Sequence, residues 1–229
     1  MKLKKFIKQF KGSSFPVLVI DDSDNHYIMK MKGAGNGTIS LLSEFVVNRV
    51  CTILGYPVPN AYWMYIEKNF PWEFGTDEFD DILQKSSGWN LALDYIGDSE
   101  QINTMKNHIF ENEIIDDVYS IDNFFVNMDR SRLSGNFLKD KNGKIYIIDH
   151  GSMFLFHSKN YQYSKVVDNH IFCEYYELFD YKIDERLLDI DIYKDLVAEI
   201  PIEILDELSM NENDLLSLIA NRINFIKNM

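Results

Sequence analysis

Apolar positions along this chain recur with two periods, and the switches between them place the elements. From Phe15 to Lys32 the extended runs "FPVLVI" and "HYIMKM" flank the polar turn "DDSDN", the pattern of an antiparallel hairpin. After the glycine-rich "GAGNG" the period becomes helical. Leu42, Phe45, Val46, Val50, Ile53 and Leu54 fall at helical spacing in "TISLLSEFVVNRVCTILG", with Thr38 as the expected N-cap and Gly55 as the stop. "YPVPNAYWMYIEK" breaks at Pro57 and Pro59 and resumes as a β-rich run. Residues 69–90 are acidic, aromatic and unpatterned, and read as a loop excursion. "LALDYIG" is a short apolar run closed by Gly97, and the polar "DSEQ" after it marks a boundary between two lobes, residues 1–96 and 97–229.

Beyond that boundary the chain turns helical. "IFENEIIDDVYSIDNFFVNM" has helical apolar spacing, and "NFLKDKNGKIYIID" reads as strand, Asn-Gly turn, strand. Three amphipathic helices follow in the last fifty residues, the second opened by Pro201 at its first helical position. At the other end, "MKLKKFIKQFK" sets Leu3, Phe6, Ile7 and Phe10 at i, i+3, i+4 and i+7, the spacing of a short amphipathic helix packed on the domain. Its lysines interrupt the apolar stretch that a signal peptide needs.

Composition narrows the class. With 46% hydrophobic and 14% aromatic residues spread over 229 positions, the chain is expected to pack a core. A formal charge of −13 repels phosphate backbones, so nucleic acid is not an expected partner. Cys51 and Cys173 have neither metal-ligand spacing nor disulfide density, and read as reduced core thiols. No stretch reaches transmembrane length, so the expectation is a cytoplasmic protein without a membrane partner.

The candidate chemistry lies in "FFVNMDRSRLSGNFLKDKNGKIYIIDHGSMF". A helix delivers Asp129 to a loop, and the hairpin that follows returns Asp149 to Asn136 although Asp129 and Asp149 are twenty positions apart. Converging oxygens of this kind suit Mg²⁺ beside substrate phosphates, with a further carboxylate to orient an attacking hydroxyl. Upstream, Lys30 ends the strand "YIMK" and Glu44 lies fourteen residues later on the first helix, which supplies a phosphate-binding cation and its partner. The order Lys, Glu, Asp, Asn, Asp is that of a kinase-like site. Blander readings exist for each residue. Asp129 with Arg130 alone reads as a surface ion pair, Lys32 shares the face of Lys30, and His150 shapes a turn without a catalytic role. "GAGNG" does not meet the dinucleotide fingerprint.

These residues carry a family resemblance. In "FKGSSFPVLV" with "HYIMKMKG", "LLSEFVVNRVCTILGYPVP", "FFVNMDRSRLSGNFL" and "GKIYIIDHG", spanning roughly residues 10 to 155, the chain resembles the HipA-like kinases, relatives of protein and phosphoinositide kinases. The resemblance implies a two-lobed α+β kinase-like fold, β-rich at the N-terminus and mainly helical at the C-terminus. ATP would lie between the lobes, its adenine against the backbone of Leu93, Asp94, Tyr95 and Ile96. Lys30 would contact the α- and β-phosphates, Glu44 would pair with Lys30, Asp129 would be the catalytic base and Asp149 the principal Mg²⁺ ligand. Gly12, Ser13 and Ser14 fall in the nucleotide-covering loop, where some relatives phosphorylate their own serines.

One position departs from the family. Five residues after the base, where an Asn is usual, stands Ser134, and Asn136 comes seven after it, so Asn136 with Ser134 or a water is the expected metal set. The implied reaction is transfer of the ATP γ-phosphate to a hydroxyl, Ser or Thr of a protein substrate, with an antitoxin or other regulatory partner as a further implication. The alternative is a pseudokinase, a nucleotide-binding or interaction module without transfer, which Ser134 favours. A lipid kinase shares the site residues, but nothing basic and apolar near them suggests a membrane-facing surface.

Overall fold

Before residue 95 the chain builds one antiparallel sheet in the computed structural model, which describes all residues except 13, 36, 72–75, 103–109, 166–169 and 179–181. Its strands are β1 (Leu3–Gln9), β2 (Val17–Asp21), β3 (His26–Lys30), β4 (Ala61–Ile66) and β5 (Gly88–Asp94), in the order β1-β2-β3-β5-β4. The β2–β3 hairpin is the one the alternating runs predict. β1 is not the amphipathic helix that its spacing suggests. Its pairing with β2 shifts register between Leu3 and Lys5 and again between Phe6 and Lys8. Each irregularity resets the alternation, so the two buried residues Leu3 and Phe6 lie three apart and imitate a helical face.

Helix α1 (Thr38–Leu54) follows the sheet's first three strands and ends on Gly55 in the left-handed region, as expected. Its N-cap is Gly37 rather than Thr38, whose hydroxyl instead donates to Glu207 Oε2 at 2.7 Å. The excursion at residues 69–90 contains a helix that the pattern does not reveal, α2 (Asp77–Lys85). Thr76 caps it by accepting the Phe79 N–H, and Asp77, Glu78 and Asp80 sit in the first turn, where the helix dipole favours anions. Phe79 and Ile82 are buried with Leu83 packed beside them, one short apolar face in a run that acidic residues dominate.

A smaller antiparallel sheet, β6 (Glu100–Ile102), β7 (Phe137–Lys139) and β8 (Ile145–Ile147), lies in the second half of the chain. Around it are helices α3 (Asn112–Phe125), α4 (Cys173–Leu178), α5 (Asp191–Val197), α6 (Ile202–Glu207) and α7 (Glu212–Lys227). Pro201 is the N-cap of α6, one position before the expected one, because its ψ of 134° is still extended. Cys51 is buried, as expected of a core thiol, while Cys173 is half-buried and accepts a hydrogen bond from Arg132 at 3.2 Å.

Two apolar clusters hold these layers. One packs Phe6, Val19, Met29 and Met64 of the sheet against Phe79 and Ile82 of α2. The larger one centres on α1, whose Leu42, Phe45, Val46 and Val50 meet Ile121 and Phe124 of α3, Leu196 of α5 and Leu205 of α6. At about 1.5–3 kcal/mol for each fully buried large side chain, this cluster fixes α1 between the sheet and the C-terminal helices. Ion pairs from Arg49 to Glu199 and from Lys32 to Glu207 add polar ties across the same junction. Among the described residues no helix is long and apolar enough to cross a membrane.

Candidate active site

Lys30 closes β3 and points at α1 rather than at water. Its Nζ donates to both carboxylate oxygens of Glu44, at 2.8 and 2.6 Å, and to Oδ1 of Asp149 at 2.9 Å. The Glu44 side chain is 1% exposed and that of Asp149 43% exposed, so one ammonium links a buried carboxylate to one that faces the cleft. Burial pulls the Lys30 pKa down, but Asp149 and Glu44 outweigh it and hold it above its ordinary value. Burial raises the Glu44 pKa against the pull of Lys30, while Lys30 lowers that of Asp149. Lys32, the alternative lysine, is taken up by Glu207.

The strand end that carries Asp149 is seated on α1. Ser43 donates to the His150 carbonyl at 2.8 Å, and the His150 N–H reaches Glu44. A Cβ at Gly151 would stand 2.3 Å from Ser40 Oγ, so any larger residue there displaces the Ser40 hydroxyl. The His150 ring is fully buried with neither nitrogen hydrogen-bonded, and burial, then Arg130, pushes its pKa down to about 3. It is neutral near pH 7.

β7 and β8 bring Asn136 to Asp149 as the hairpin predicts: the Ile148 N–H donates to the Asn136 carbonyl at 3.0 Å. Both residues have positive φ, 56° for Asn136 and 63° for Asp149, a conformation that Asn and Asp tolerate better than most. Asn136 is buried; Ser134 donates to its Oδ1 at 3.0 Å, and its Nδ2 has no hydrogen-bond partner among the described residues. Asp129 lies within electrostatic reach of Asp149 but on a different loop. It is exposed, on the loop after α3, and its carboxylate does not line the cleft. Burial of part of the carboxyl and the charge of Asp149 together raise its pKa against the pull of Arg130.

What sets that loop is a buried network that the sequence pattern does not reveal. Arg130 does not pair with Asp129. Its Nε donates at 2.6 Å to Asp122 of α3, with both side chains 0% exposed, and its Nη1 donates to the carbonyls of Gly135 and Asn136 at 2.8 and 3.0 Å. Asn127 Nδ2 and His170 Nε2 also reach the Asp122 carboxylate, each at 2.9 Å, and Asn127 Oδ1 accepts the Asp129 N–H at 3.0 Å. Burial alone would raise the Asp122 pKa, but Arg130 and then His170 overcome it and hold the carboxyl at about 2. An aspartate in a helical run reads as solvent-facing. The only hint in the sequence is an arginine eight positions on that needs a counterion if buried.

These groups border a cleft of about 430 Å³, the size of a small-molecule site. Lys30, Glu44, Asp149, Asn136 and Ser134 line one part of it. Ile28, Pro59, Leu138 and Ile148 supply apolar wall, Leu93, Asp94, Tyr95 and Ile96 line it where β5 leaves the sheet, and Gly12 and Ser14 line it from the β1–β2 loop. Ser13 lies outside the described residues. The oxygens of Asp149, Asn136 and Ser134 are hard donors, although no group of three His, Cys, Asp or Glu side chains that could hold a metal occurs among the described residues.

A fold with a cleft between an antiparallel sheet and a helical region, and with a buried Lys–Glu pair facing an Asp at a strand end, is that of a kinase. The HipA-like kinase family model matches residues 4–207, and this chain belongs to that family. Comparison with curated protein sequences gives no match. Among solved structures, the crystal structure of a Helicobacter pylori proinflammatory kinase, CtkA, is similar at a TM-score of 0.60 and 16% identity, over 98% of this chain and 93% of that one. At that identity the likeness bears on the fold, which is two-lobed and kinase-like.

Proposed function

We propose that this chain transfers the γ-phosphate of ATP to a hydroxyl, that of a serine or threonine in a protein, with Mg²⁺ as the metal. The observation that carries the reading is the Lys30–Glu44–Asp149 arrangement at a cleft that also has an apolar wall. In this reading residues 1–96 form a nucleotide-binding lobe and 97–229 a catalytic lobe. Ile28, Leu138 and Ile148 sandwich the adenine. The Asp94 N–H already donates to the Asn60 carbonyl at 3.0 Å, which narrows the backbone offered to the base edge to Tyr95 and Ile96. Gly12 and Ser14 cover the phosphates.

Lys30 moves from Asp149 to the α- and β-phosphates while Glu44 keeps its ammonium aligned. Asp149, Asn136 and Ser134 fit a hard cation that arrives with the nucleotide, since Mg²⁺ needs only one or two carboxylates when phosphates complete its shell. The unpartnered Asn136 Nδ2 calls for an acceptor such as a phosphate oxygen, or for a turned amide that presents its oxygen instead. When bound, the ion neutralises phosphate charge. Asp129 accepts the proton of the attacking hydroxyl as its oxygen bonds to the γ-phosphorus and ADP departs.

The test is incubation with γ-labelled ATP and Mg²⁺, comparing the parent with Asp129→Asn and Asp149→Asn. Label on the chain itself or on an added lysate protein, lost in both variants, supports transfer. Ser134, at the position where relatives carry Asn, favours a second reading as a nucleotide-binding pseudokinase. Mg²⁺-dependent thermal stabilisation by ATP without transfer is its signature.

A further inference from the structure

We propose that His170 is a positioning residue: it makes the geometry of the Asp129 loop depend on the docking of the segment that follows Asp149. Its catalytic consequence rests on the kinase reading above. Of the three side chains on the Asp122 carboxylate, Arg130 and Asn127 belong to the same helix-and-loop stretch as Asp122, whereas His170 comes from 48 positions away. His170 Nδ1 accepts the Phe172 N–H at 3.1 Å, so the ring proton lies on Nε2 and is donated to Asp122 Oδ2. The backbone joins in the same place: the Ile171 N–H donates to the Arg130 carbonyl at 3.0 Å, and Ser131 and His170 form an isolated β-bridge.

From Asp122 the constraint spreads to both sides of Asp129. Asn127, oriented by Asp122, accepts the Asp129 N–H, and Arg130, oriented by the same carboxylate, holds the carbonyls of Gly135 and Asn136. His170 is therefore the side-chain donor that, with the Ile171 N–H, ties this set to a different part of the chain. Undocking the 170–172 segment removes a donor from a buried carboxylate and frees Arg130 and Asn127 to shift. The Lys30–Glu44 pair and the apolar cleft walls from β3 and β5 lie on other elements and stay where they are, and Asn136, Leu138 and Ile148 remain paired through the β7–β8 hairpin. Loss of His170 should thus reach catalysis far more than nucleotide affinity, and a small misplacement of a reacting group suffices to cost about 100-fold in rate.

The experiment measures steady-state kinetics with γ-labelled ATP and Mg²⁺ for the full chain, His170→Ala and His170→Gln, alongside amide hydrogen exchange of the three proteins. We expect His170→Ala to lower kcat by about 100-fold with a far smaller change in the KM for ATP, and His170→Gln, which keeps an N–H of similar reach, to recover most of the kcat. Exchange across residues 127–136 should quicken in His170→Ala while β2 and β3 exchange as in the parent. Unchanged kcat, a KM that moves with kcat, or a Gln variant no better than Ala overturns the proposal. If the parent transfers no phosphate, the kinase reading fails separately and exchange decides. Faster exchange confined to 127–136 then supports the positioning role, and unchanged or uniformly raised exchange overturns it.

Discussion

Replacing Arg130 by methionine separates a buried structural arginine from a surface one. Methionine keeps much of the side chain's length and apolar contact but withdraws the cation from Asp122 and the donors from the Gly135 and Asn136 carbonyls. Removing one partner of a buried ion pair costs about 3–5 kcal/mol, and the Gly135 carbonyl, left without a donor while that of Asn136 keeps the Ile148 N–H, adds about 1–3 kcal/mol where water cannot enter. Asp122→Asn breaks the same pair from the other side. It leaves the Arg130 cation buried without a counter-charge and turns an amide N–H towards donors, so its cost falls in the same range of about 3–5 kcal/mol. The double variant should cost less than the sum of the singles by about 0.5–3 kcal/mol, because both remove one interaction. Urea unfolding followed by tryptophan fluorescence and circular dichroism reads all three, at unchanged m. A cost for Arg130→Met under about 1 kcal/mol, the range of an exposed ion pair, would mean that Arg130 is not a buried partner of Asp122. The acid dependence has a defined sign. Because the folded-state pKa of Asp122 is depressed, its contribution is full above pH 3.8 and is lost as pH falls towards about 2, and the Asn variant lacks that loss.

Other expectations follow from the same geometry. Lys30→Met should lower phosphoryl transfer by about 100-fold or more, as removal of a charge-stabilising donor does, whereas Lys32→Met should leave it near the parent rate because Lys32 serves Glu207; equal losses in labelled-ATP kinetics would contradict the assignment. Asp129, raised by burial and by Asp149, should titrate above the usual aspartate value of 3.8 in carboxyl-carbon NMR, and Asp149→Asn should move it back down; an unmoved midpoint would remove the electrostatic link between them. Gly33→Ala should destabilise by about 1–3 kcal/mol in thermal unfolding, since its Cβ would lie 2.4 Å from the Ile82 carbonyl and 2.9 Å from Lys85 Cβ. Gly97→Ala, whose Cβ would meet only a Tyr95 ring carbon at 3.7 Å, serves as the control.

How far the chain could be read depended on whether a residue's partner was local. The β2–β3 hairpin, α1, α3 and the β7–β8 hairpin were legible because each repeats one period long enough to see and ends on glycine or a polar turn. Lys30, Glu44, Asn136 and Asp149 were legible as a group because strand ends and a hairpin bring them together. β1 was not, since two register shifts gave a strand a helical spacing, and α2 was not, since its apolar face, Phe79, Ile82 and Leu83, spans little more than one turn among acidic residues. The Asp122–Arg130–His170 network was hidden for a different reason. Its members are polar, distant in sequence, and buried only because they satisfy one another, which hydropathy cannot register.

Whether Lys30, Asp149 and Asn136 gather around a triphosphate is decided by a crystal structure of the full chain with a non-hydrolysable ATP analogue and Mg²⁺. We expect the base between Ile28 and Ile148, Lys30 Nζ moved from Asp149 onto phosphate oxygens while still bonded to Glu44, and the metal held by Asp149 and Asn136. A nucleotide bound outside this cleft, or one bound within it with the 2.9 Å Lys30–Asp149 contact intact and no metal at Asp149, would contradict it.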